Sequence, residues 1–520
     1  MQAVNAEQMR NLDRTINDSK KITLEQVMDN VGAELSKLAL AQVPEGRRPH
    51  VCVVCGKGNN AGDGFAAARY MSEAGAVVVV VCTSTDIALS PLARAMKKKC
   101  EGKVNFLSMS TDHAIVTKII SKADVVVDAV FGTGLKSAPE GYTRLAITEI
   151  NKAKCKVISV DLPSGMDADT GAAPGECVKA DITLTVALPK VGMYLYQVYE
   201  NATAAAGNCG EIIVTDAGIP RELISNIRGG IEVIDEALVR RLLPRRSRDS
   251  HKGDFGKLYT VCGSVGMYGA SYLSAKAAMR CGVGLCTVIA PDRIEPVLAI
   301  KLTEAMTSPV RSTVSGTISM EAAAVIKQAL ESDGTAALIG CGLGQNADVR
   351  HVVAETIKNS KKPPIIDADG INAIGENISI LQEKKAPVVL TPHPGEMARL
   401  TGKTVTEIQS DRIGAARKRA DASKCVVVLK GAGTVIADPT GAVFVNSTGG
   451  PALAKGGSGD VLAGMIAGFA AQGIAPIGAA ILGTYFHGLS ADLLCKTMSE
   501  YGVLAEDVLN NIPAAMHTVM

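Results

Sequence analysis

Short runs of β-branched and aliphatic residues recur along the chain. Between them lie stretches in which small and apolar residues return at helical spacing. In the first half the apolar runs are VCVVC (51–55), AVVVVVC (76–82), DVVVDAV (124–130) and KVISVDLP (156–163). In the second half they are KLYTVCG (257–263), GLCTVIAP (284–291), AALIGCG (336–342), PPIIDAD (363–369), PVVLTP (387–392) and CVVVLKG (425–431). Runs this short with no polar alternation suit strands buried on both faces, as in parallel sheets. Helix-compatible segments, such as FAAARYMSEAG after Gly64, separate them. The repetition of strand, helix and strand predicts an α/β layered fold with right-handed crossovers. The pattern restarts after the basic, proline-containing stretch RRLLPRRSRDSHKGDFG (240–256). Two domains are expected, 1–220 and 230–520, with ISNIRGG as the crossing segment. Arg245, Arg246 and Arg248 read either as a phosphate-attracting patch or as a solvated linker, the commoner use of such a run.

Composition narrows the class. A chain of 520 residues has length for two or three domains, each large enough to bury a core. Hydrophobic residues at 47% and charged ones at 20% mark it as globular. The charge balance, 54 basic against 52 acidic residues, gives no support for a polyanion binder. Aromatics are 3%, with no Trp, so base-stacking platforms are not expected. The thirteen cysteines are odd in number and many sit in apolar runs, which reads as reduced thiols in a cytoplasmic protein. Cys52 and Cys55 form a CxxC, but on a strand they face opposite ways, which argues against a zinc or redox pair. The N-terminal MQAVNAEQMRNLDR has no apolar signal core. Val461–Phe486 is uncharged and long enough for a bilayer, yet its Gln472, Pro476 and many small residues predict two buried helices instead.

The chemistry concentrates at strand ends. GGPALAKGGSGD (449–460) packs five glycines and one carboxylate before a small apolar helix. Such a run can form a backbone anion nest at a helix N-terminus, or a glycine turn whose Asp merely caps. In the first half GKGNNAGDGF follows the first strand, but its glycines fit neither G-x-G-x-x-G nor a P-loop. Asn59, Asn60 and Asp63 offer oxygens suited to a hard cation, ribose hydroxyls or phosphate. Asp128 and Asp161 end neighbouring strand runs, and carboxylates so placed converge on one edge of a parallel sheet. In the second half Asp367, Asp369, His393 and Glu396 stand at or just beyond strand ends.

GKGNNAGDGF, VVDAVFGTGL and SVDLPSGMDADTG together resemble the YjeF N-terminal domain, the NAD(P)H-hydrate epimerase. That resemblance implies a Rossmann-like three-layer domain and a potassium ion held by Asn60, Asp128 and Ser164. It implies a hydrated nicotinamide nucleotide against Asn59, Asn60, Ala61, Gly62 and Asp63. The same ligand would touch Gly132, Thr133, Gly134, Leu135, Lys136, Ser137 and Ala138. Asp161 would be the acid–base residue. Inverting a hydroxyl-bearing ring carbon by reversible ring opening or hydroxyl loss needs one carboxylate to move a proton, and no redox cofactor.

The second half alone looks like a ribokinase-type small-molecule kinase. Its motifs DSHKGDFGKLYTVCGS, GCGLG, DADGIN, TPHPGEMARL, LKGAGT and AKGGSGDVLAG are closer still to the ADP-dependent NAD(P)H-hydrate dehydratase. This resemblance implies a ribokinase-like α/β domain in which Ala270, Gly344, His393 and Asp460 contact the hydrate. Lys430, Gly431, Ala432, Gly433 and Thr434 would hold ADP, with Gly450, Lys455, Gly456, Gly457, Ser458 and Gly459. Glu396 would organise Mg2+ and Asp460 would be catalytic. Many family members read N-P-G where this chain has Gly450-Pro451-Ala452. The expected activity is a bifunctional repair enzyme that epimerises NAD(P)HX and dehydrates the S form at the expense of ADP. The alternatives are a kinase fused to a ligand-sensing domain, or a catalytic second half beside a scaffold module. Small-molecule substrates and a homo-oligomer are expected, with neither nucleic acid nor membrane as partner.

Overall fold

The computed structural model describes residues 1–135, 137–196, 203–227, 230–332, 334–375 and 378–520. Lys136 and part of the ISNIRGG segment therefore lie outside the described residues. The chain divides into two compact units, Gln2–Ile231 and Glu232–Met520 with Met1.

The first unit is built on a parallel sheet. Its strands are β1 His50–Cys55, β2 Val77–Cys82, β3 Asn105–Ser108, β4 Val125–Ala129, β5 Lys156–Val160, β6 Ile182–Val186 and β7 Glu211–Thr215. Their spatial order is β7-β6-β5-β4-β1-β2-β3. The direction of winding reverses between β1 and β4, and ligands of doubly wound sheets bind in the crevice at that point. Three of these strands escape an apolar-run reading. β3 (NFLS) and β7 (EIIVT) are edge strands with polar positions, and β6 alternates Thr with aliphatics. Both faces of the sheet are covered, and Cys52 and Cys55 fall in different apolar clusters, as the strand period requires. Helices α1 Ala6–Ser19 and α2 Leu24–Leu40 open with capping boxes at Asn5 and Thr23.

GKGNNAGDGF is not a loop before a helix: helix α3 spans Asn59–Glu73 and takes in most of it. The glycines serve close packing. A Cβ on Gly62 would lie 2.2 Å from Met28 Sδ, and one on Gly64 would lie 2.6 Å from Ala129 Cβ.

The second unit repeats the plan. Its strands include β8 Lys257–Val261, β9 Leu285–Pro291, β10 Met306–Val310, β11 Ala336–Ile339, β12 Pro364–Ile366, β13 Val389–Leu390, β14 Val426–Leu429, β15 Val435–Ala437 and β16 Val443–Asn446. The order runs β16-β15-β14-β13-β12-β11-β8-β9-β10. Pairing is parallel except at β14–β15 and β15–β16, which are antiparallel. The switch point lies between β8 and β11. The helices that matter for the site are α4 Tyr268–Arg280, α5 Asp369–Ile374, α6 Pro394–Thr401, α7 Arg412–Ser423, α8 Ser458–Ala471 and α9 Pro476–Leu494. The uncharged stretch Val461–Phe486 is split between α8 and α9, and most of both is buried in the core. Gly464 and Gly468 bring α8 against α4: a Cβ at either would lie 2.1 Å from Ser274 O or 2.6 Å from Ala278 O. Of the linker arginines, Arg246 is a staple. It lies 3.8 Å over the Phe255 ring and donates to Gly282 O and Gln472 Oε1.

Candidate active sites

In the first unit a cleft of about 420 Å3 opens at the switch point. It is lined by Asn59, Asn60 and Asp63 from α3, Gly132–Gly134 after β4, Asp161 after β5, and Met9, Arg10 and Asp13 from α1. Strand register sets Asp128 opposite Ser159. Asp128 is fully buried and accepts from Ser159 Oγ (2.8 Å), Ser164 N (2.8 Å), Ser164 Oγ (2.5 Å) and Val130 N (3.3 Å). Burial raises its pKa and these hydrogen bonds oppose that rise. Asn60 donates to Phe131 O at 3.0 Å, whereas its Oδ1 is buried without a hydrogen-bond partner among the described residues. A buried amide oxygen left unpaired is costly unless a ligand fills the gap.

Asp161 adopts a left-handed backbone (φ +66°), uncommon for a residue with a side chain and found where the surrounding fold enforces it. Its carboxylate is ion-paired with the Lys190 ammonium, which is fully buried. Lys190 also donates to Thr185 Oγ1 at 2.9 Å and Val186 O at 3.3 Å. A Cβ on Gly132 would sit 3.1 Å from Asp161 Oδ2 and 3.4 Å from Asn60 Oδ1, so glycine keeps open the space that these groups share. Asp63 is pushed well above the usual carboxylate range by burial and by the charge of Asp161. Asp13 is raised to about 6 by burial, then by Asp161, against the opposing pull of Lys190.

In the second unit the strand ends converge as expected. Asp460 lies in the first turn of α8, which begins at the left-handed Gly457 (φ +88°). Its pKa is raised to about 6, first by burial and then by the charge of Asp367. Cys341, Asp367 and Asp460 place one ligand-type atom each within 4.8 Å of the others. Asp367 Oδ1 accepts from Lys430 Nζ at 2.6 Å and Thr391 Oγ1 at 2.7 Å. Lys430 lies 3.8 Å from Glu396 Oε2, and a Cβ on Gly459 would be 3.5 Å from its Nζ. The ammonium thus stands beside the positive end of α8, where a phosphate would meet both.

His393 caps α6: its Nδ1 accepts from Gly395 N at 3.0 Å, and its own N–H donates to Glu396 Oε2 at 2.7 Å. An accepting Nδ1 is that of a neutral imidazole with its proton on Nε2. Burial and the nearby Lys430 charge lower its pKa accordingly. Glu396 is raised, chiefly by burial. Gly344 N donates to Asp369 Oδ2 at 2.8 Å. Ala270, in the first turn of α4, contacts the position where a Cβ on Gly342 would project, at 2.9 Å. The loop 430–434 is braced from below by Arg412. This buried guanidinium donates to Leu429 O (3.1 Å) and Ala432 O. Ser458 Oγ lies 3.2 Å from His487 Nε2, a buried imidazole whose pKa falls to about 4 because burial disfavours its charge.

Three groups in these sites escape a motif reading. Asp13 and Lys190 stand outside the strand-end glycine segments, and Cys341 reads as an ordinary apolar-run thiol. A signal exists for the first two. Met9, Leu12 and Ile16 mark the buried face of α1, and Asp13 falls four residues after Met9, at the edge of that face. Lys190 is the lone charge in TVALPKVG.

Residues 24–192 match the family described as YjeF-related protein N-terminus, and residues 258–514 match the family described as NAD(P)H-hydrate dehydratase. The chain is 38% identical to the bifunctional NAD(P)H-hydrate repair enzyme Nnr of Moorella thermoacetica, over 100% of this chain and 97% of that protein. It is 32% identical to the enzyme of the same name from Escherichia coli K12, over 98% and 92%. Among solved structures, the ADP/ATP-dependent NAD(P)H-hydrate dehydratase from Bacillus subtilis, co-crystallized with ATP/Mg2+, aligns at 34% identity and a TM-score of 0.50. It covers 56% of this chain and 99% of its own.

Proposed function

This chain belongs to the family of bifunctional NAD(P)H-hydrate repair enzymes, with an epimerase and a dehydratase domain, and we propose from this which residues carry its two reactions. In the first unit Asp161 is the acid–base group for inversion of the hydrated ring carbon. The walls given by Asn59–Asp63 and Gly132–Gly134 hold the hydrated nicotinamide nucleotide, and Leu135, Ser137 and Ala138 extend them. The oxygens near Asn60 fit a hard monovalent cation. The orphaned Asn60 Oδ1 and the Ser164 hydroxyl are neutral donors, and Asp128, its lone pairs already engaged, contributes charge. Bound there, K+ would satisfy Asn60 and neutralise Asp128.

In the second unit Asp460 takes the proton of the substrate hydroxyl as that oxygen attacks the terminal phosphoryl group of ADP. Hydroxide leaves poorly, whereas phosphate leaves well. The C–O bond then breaks with its electron pair leaving on phosphate, the neighbouring ring carbon loses a proton to the departing phosphate or to solvent, and the dihydropyridine is restored beside AMP. The raised pKa of Asp460 suits a general base working near neutral pH. Lys430 and the backbone N–H groups of Gly456, Gly457, Gly459 and Asp460 oppose the charge that develops on the phosphoryl oxygens. Gly450, Lys455, and Gly431–Thr434 flank the nucleotide. Ala270, Gly344 and the Nε2–H of His393 face the hydrate. Glu396 suits Mg2+ held through water, since among the described residues its Oε1 meets no partner closer than His393 Nε2 at 3.5 Å. Bound there, Mg2+ supplies charge neutralisation for the phosphates. The enzyme works on soluble nucleotides, and we place it in the cytoplasm.

The observation that carries this reading is the convergence at the N-terminus of α8 of Asp460 and Asp367, the latter held by Lys430. The experiment is recovery of 340 nm absorbance from mixed-epimer NADHX with ADP. Wild type should convert both epimers. Asp460→Asn should stop dehydration, and Asp161→Asn should leave only the S fraction converting beyond the spontaneous epimerisation rate. Undiminished AMP formation by Asp460→Asn would remove the base role from Asp460.

A further inference from the structure

The epimerase cleft holds more carboxyl groups than one proton transfer needs. Asp13, Asp63 and Asp161 all line it, and one fully buried cation, Lys190, is paired with Asp161. Asp13 reaches the cleft from α1, whereas Asp161 reaches it from the turn after β5. Beside them Asn60 Oδ1, on a residue more than nine-tenths buried, faces the space over Gly132 without a partner among the described residues. Gly132, which carries no side chain, keeps that shared space between Asn60 and Asp161 open for a substrate. Inversion at one carbon requires service on both of its faces, and carboxyl groups borne by two separate elements can provide it.

We propose that Asp13 is a second catalytic residue of this cleft, the proton donor to the substrate's ring hydroxyl that works with Asp161 as base. This rests on the epimerase reading given above. The Asp13 carboxyl gives its proton to the hydroxyl oxygen, and the C–O bond breaks with its electron pair leaving on water. The lone pair of the adjacent ring nitrogen forms the C=N bond. Water then adds to the other face, the C=N pair returns to nitrogen, and the water's proton passes to Asp161. Proton exchange through the open cleft returns Asp161 to carboxylate and Asp13 to acid, and nothing is oxidised or reduced. The charge inventory fits these roles. The Asp161 carboxylate is ion-paired with Lys190, and burial together with the Asp161 charge holds a proton on Asp13 up to about pH 6 against the opposing pull of Lys190. The groups that face Asp13 are Asp63 from α3, Asp161 and Lys190 from their strand ends, Lys57 at the cleft wall and Arg10 on its own helix.

The test follows interconversion of R- and S-NADHX by proton NMR, with the whole chain and no ADP. Asp13→Asn should lower the rate above the spontaneous background by about 100-fold or more. It should also remove an alkaline fall in epimerase rate near pH 6, and leave ADP-dependent conversion of S-NADHX unchanged. Asp13→Glu, which keeps an acid, should retain more rate than Asp13→Asn and keep the pH limb. If Asp13→Asn matches wild type while Asp161→Asn is inactive, the proposal fails and the epimerase reading stands. Equal loss in Asp13→Glu and Asp13→Asn, with no change in pH profile, would mean that Asp13 acts through packing and would also overturn it. Full epimerase rate in Asp161→Asn would instead overturn the epimerase reading itself.

Discussion

Asp460 is half-buried beside another carboxylate, so its charged form is disfavoured in the folded protein. Its pKa rises from an ordinary 3.8 to about 6, so the native state binds this proton more tightly than the unfolded chain does. Stability from this group is therefore full below the ordinary value and declines as pH rises through the window to about 6. At pH 7.5 the deficit is about 1–3 kcal/mol once partial solvation of the carboxylate is allowed for. Asp460→Asn should therefore melt higher than wild type at pH 7.5 and show little difference at pH 4, even as dehydration is lost. Thermal melts at the two pH values check this, and an unchanged melting temperature at pH 7.5 would contradict it. A group destabilising for the fold but suited to proton transfer is the expected trade between stability and activity. At the same scale Lys190 illustrates what one residue can do unseen by motif. It is fully buried and its ammonium is held by Asp161, Thr185 and Val186.

Helix starts are the elements that make both sites. α3 begins just after a strand and α8 after the glycine-rich loop that follows one; each has a glycine inside its first turn, and each brings functional side chains with it. The glycines do two separable jobs. Gly457 holds φ +88°, and a Cβ there would lie 2.7 Å from Leu273 Cδ1. Gly457→Ala should cost about 1–3 kcal/mol of stability through backbone strain and that clash. Gly456 has ordinary φ and nothing within 4 Å of an added Cβ. Gly456→Ala should leave stability within about 0.5 kcal/mol of wild type while its methyl intrudes on the nucleotide and raises KM for ADP. Melting curves with and without ADP separate the two. A Gly456→Ala protein stabilised by ADP as strongly as wild type would count against the nest. The sequence pattern found these segments from glycine density but read α3 as beginning after Gly64. Glycine is a poor helix former in isolation, and only the fit of Gly62 against Met28 and of Gly64 against Ala129 explains why it is retained inside a helix.

At the scale of the molecule, each unit encloses its own apolar core. One cluster runs from Val4 to Leu223 and another from Ile234 to Val519. The Bacillus subtilis dehydratase shows that a chain of about the second unit's extent exists alone. Residues 1–231 and 232–520 should therefore fold when expressed separately, the first keeping epimerase activity and the second ADP-dependent dehydration. Circular dichroism and the two assays on the separate pieces check this. A second piece that folds cooperatively but no longer dehydrates S-NADHX would show that its site is incomplete alone.

The order of residues alone was enough for the α/β class, most of the buried strands, and the segments after them that carry carboxylates and glycines. Apolar runs and glycine density are local properties, and buried parallel strands leave them undiluted. Edge strands such as β3 and β7, whose polar positions face solvent, left no such trace. Which groups share a space was settled only by folding. The winding reversal between β1 and β4 brings Asn60, Gly132 and Asp161 together, and that between β8 and β11 sets Cys341 beside Asp367 and Asp460. Asp13 and Lys190, 177 residues apart in the chain, acquire their roles only there. The protonation of a carboxyl depends on burial and on the charges within a few ångströms, and neither exists until the chain has folded.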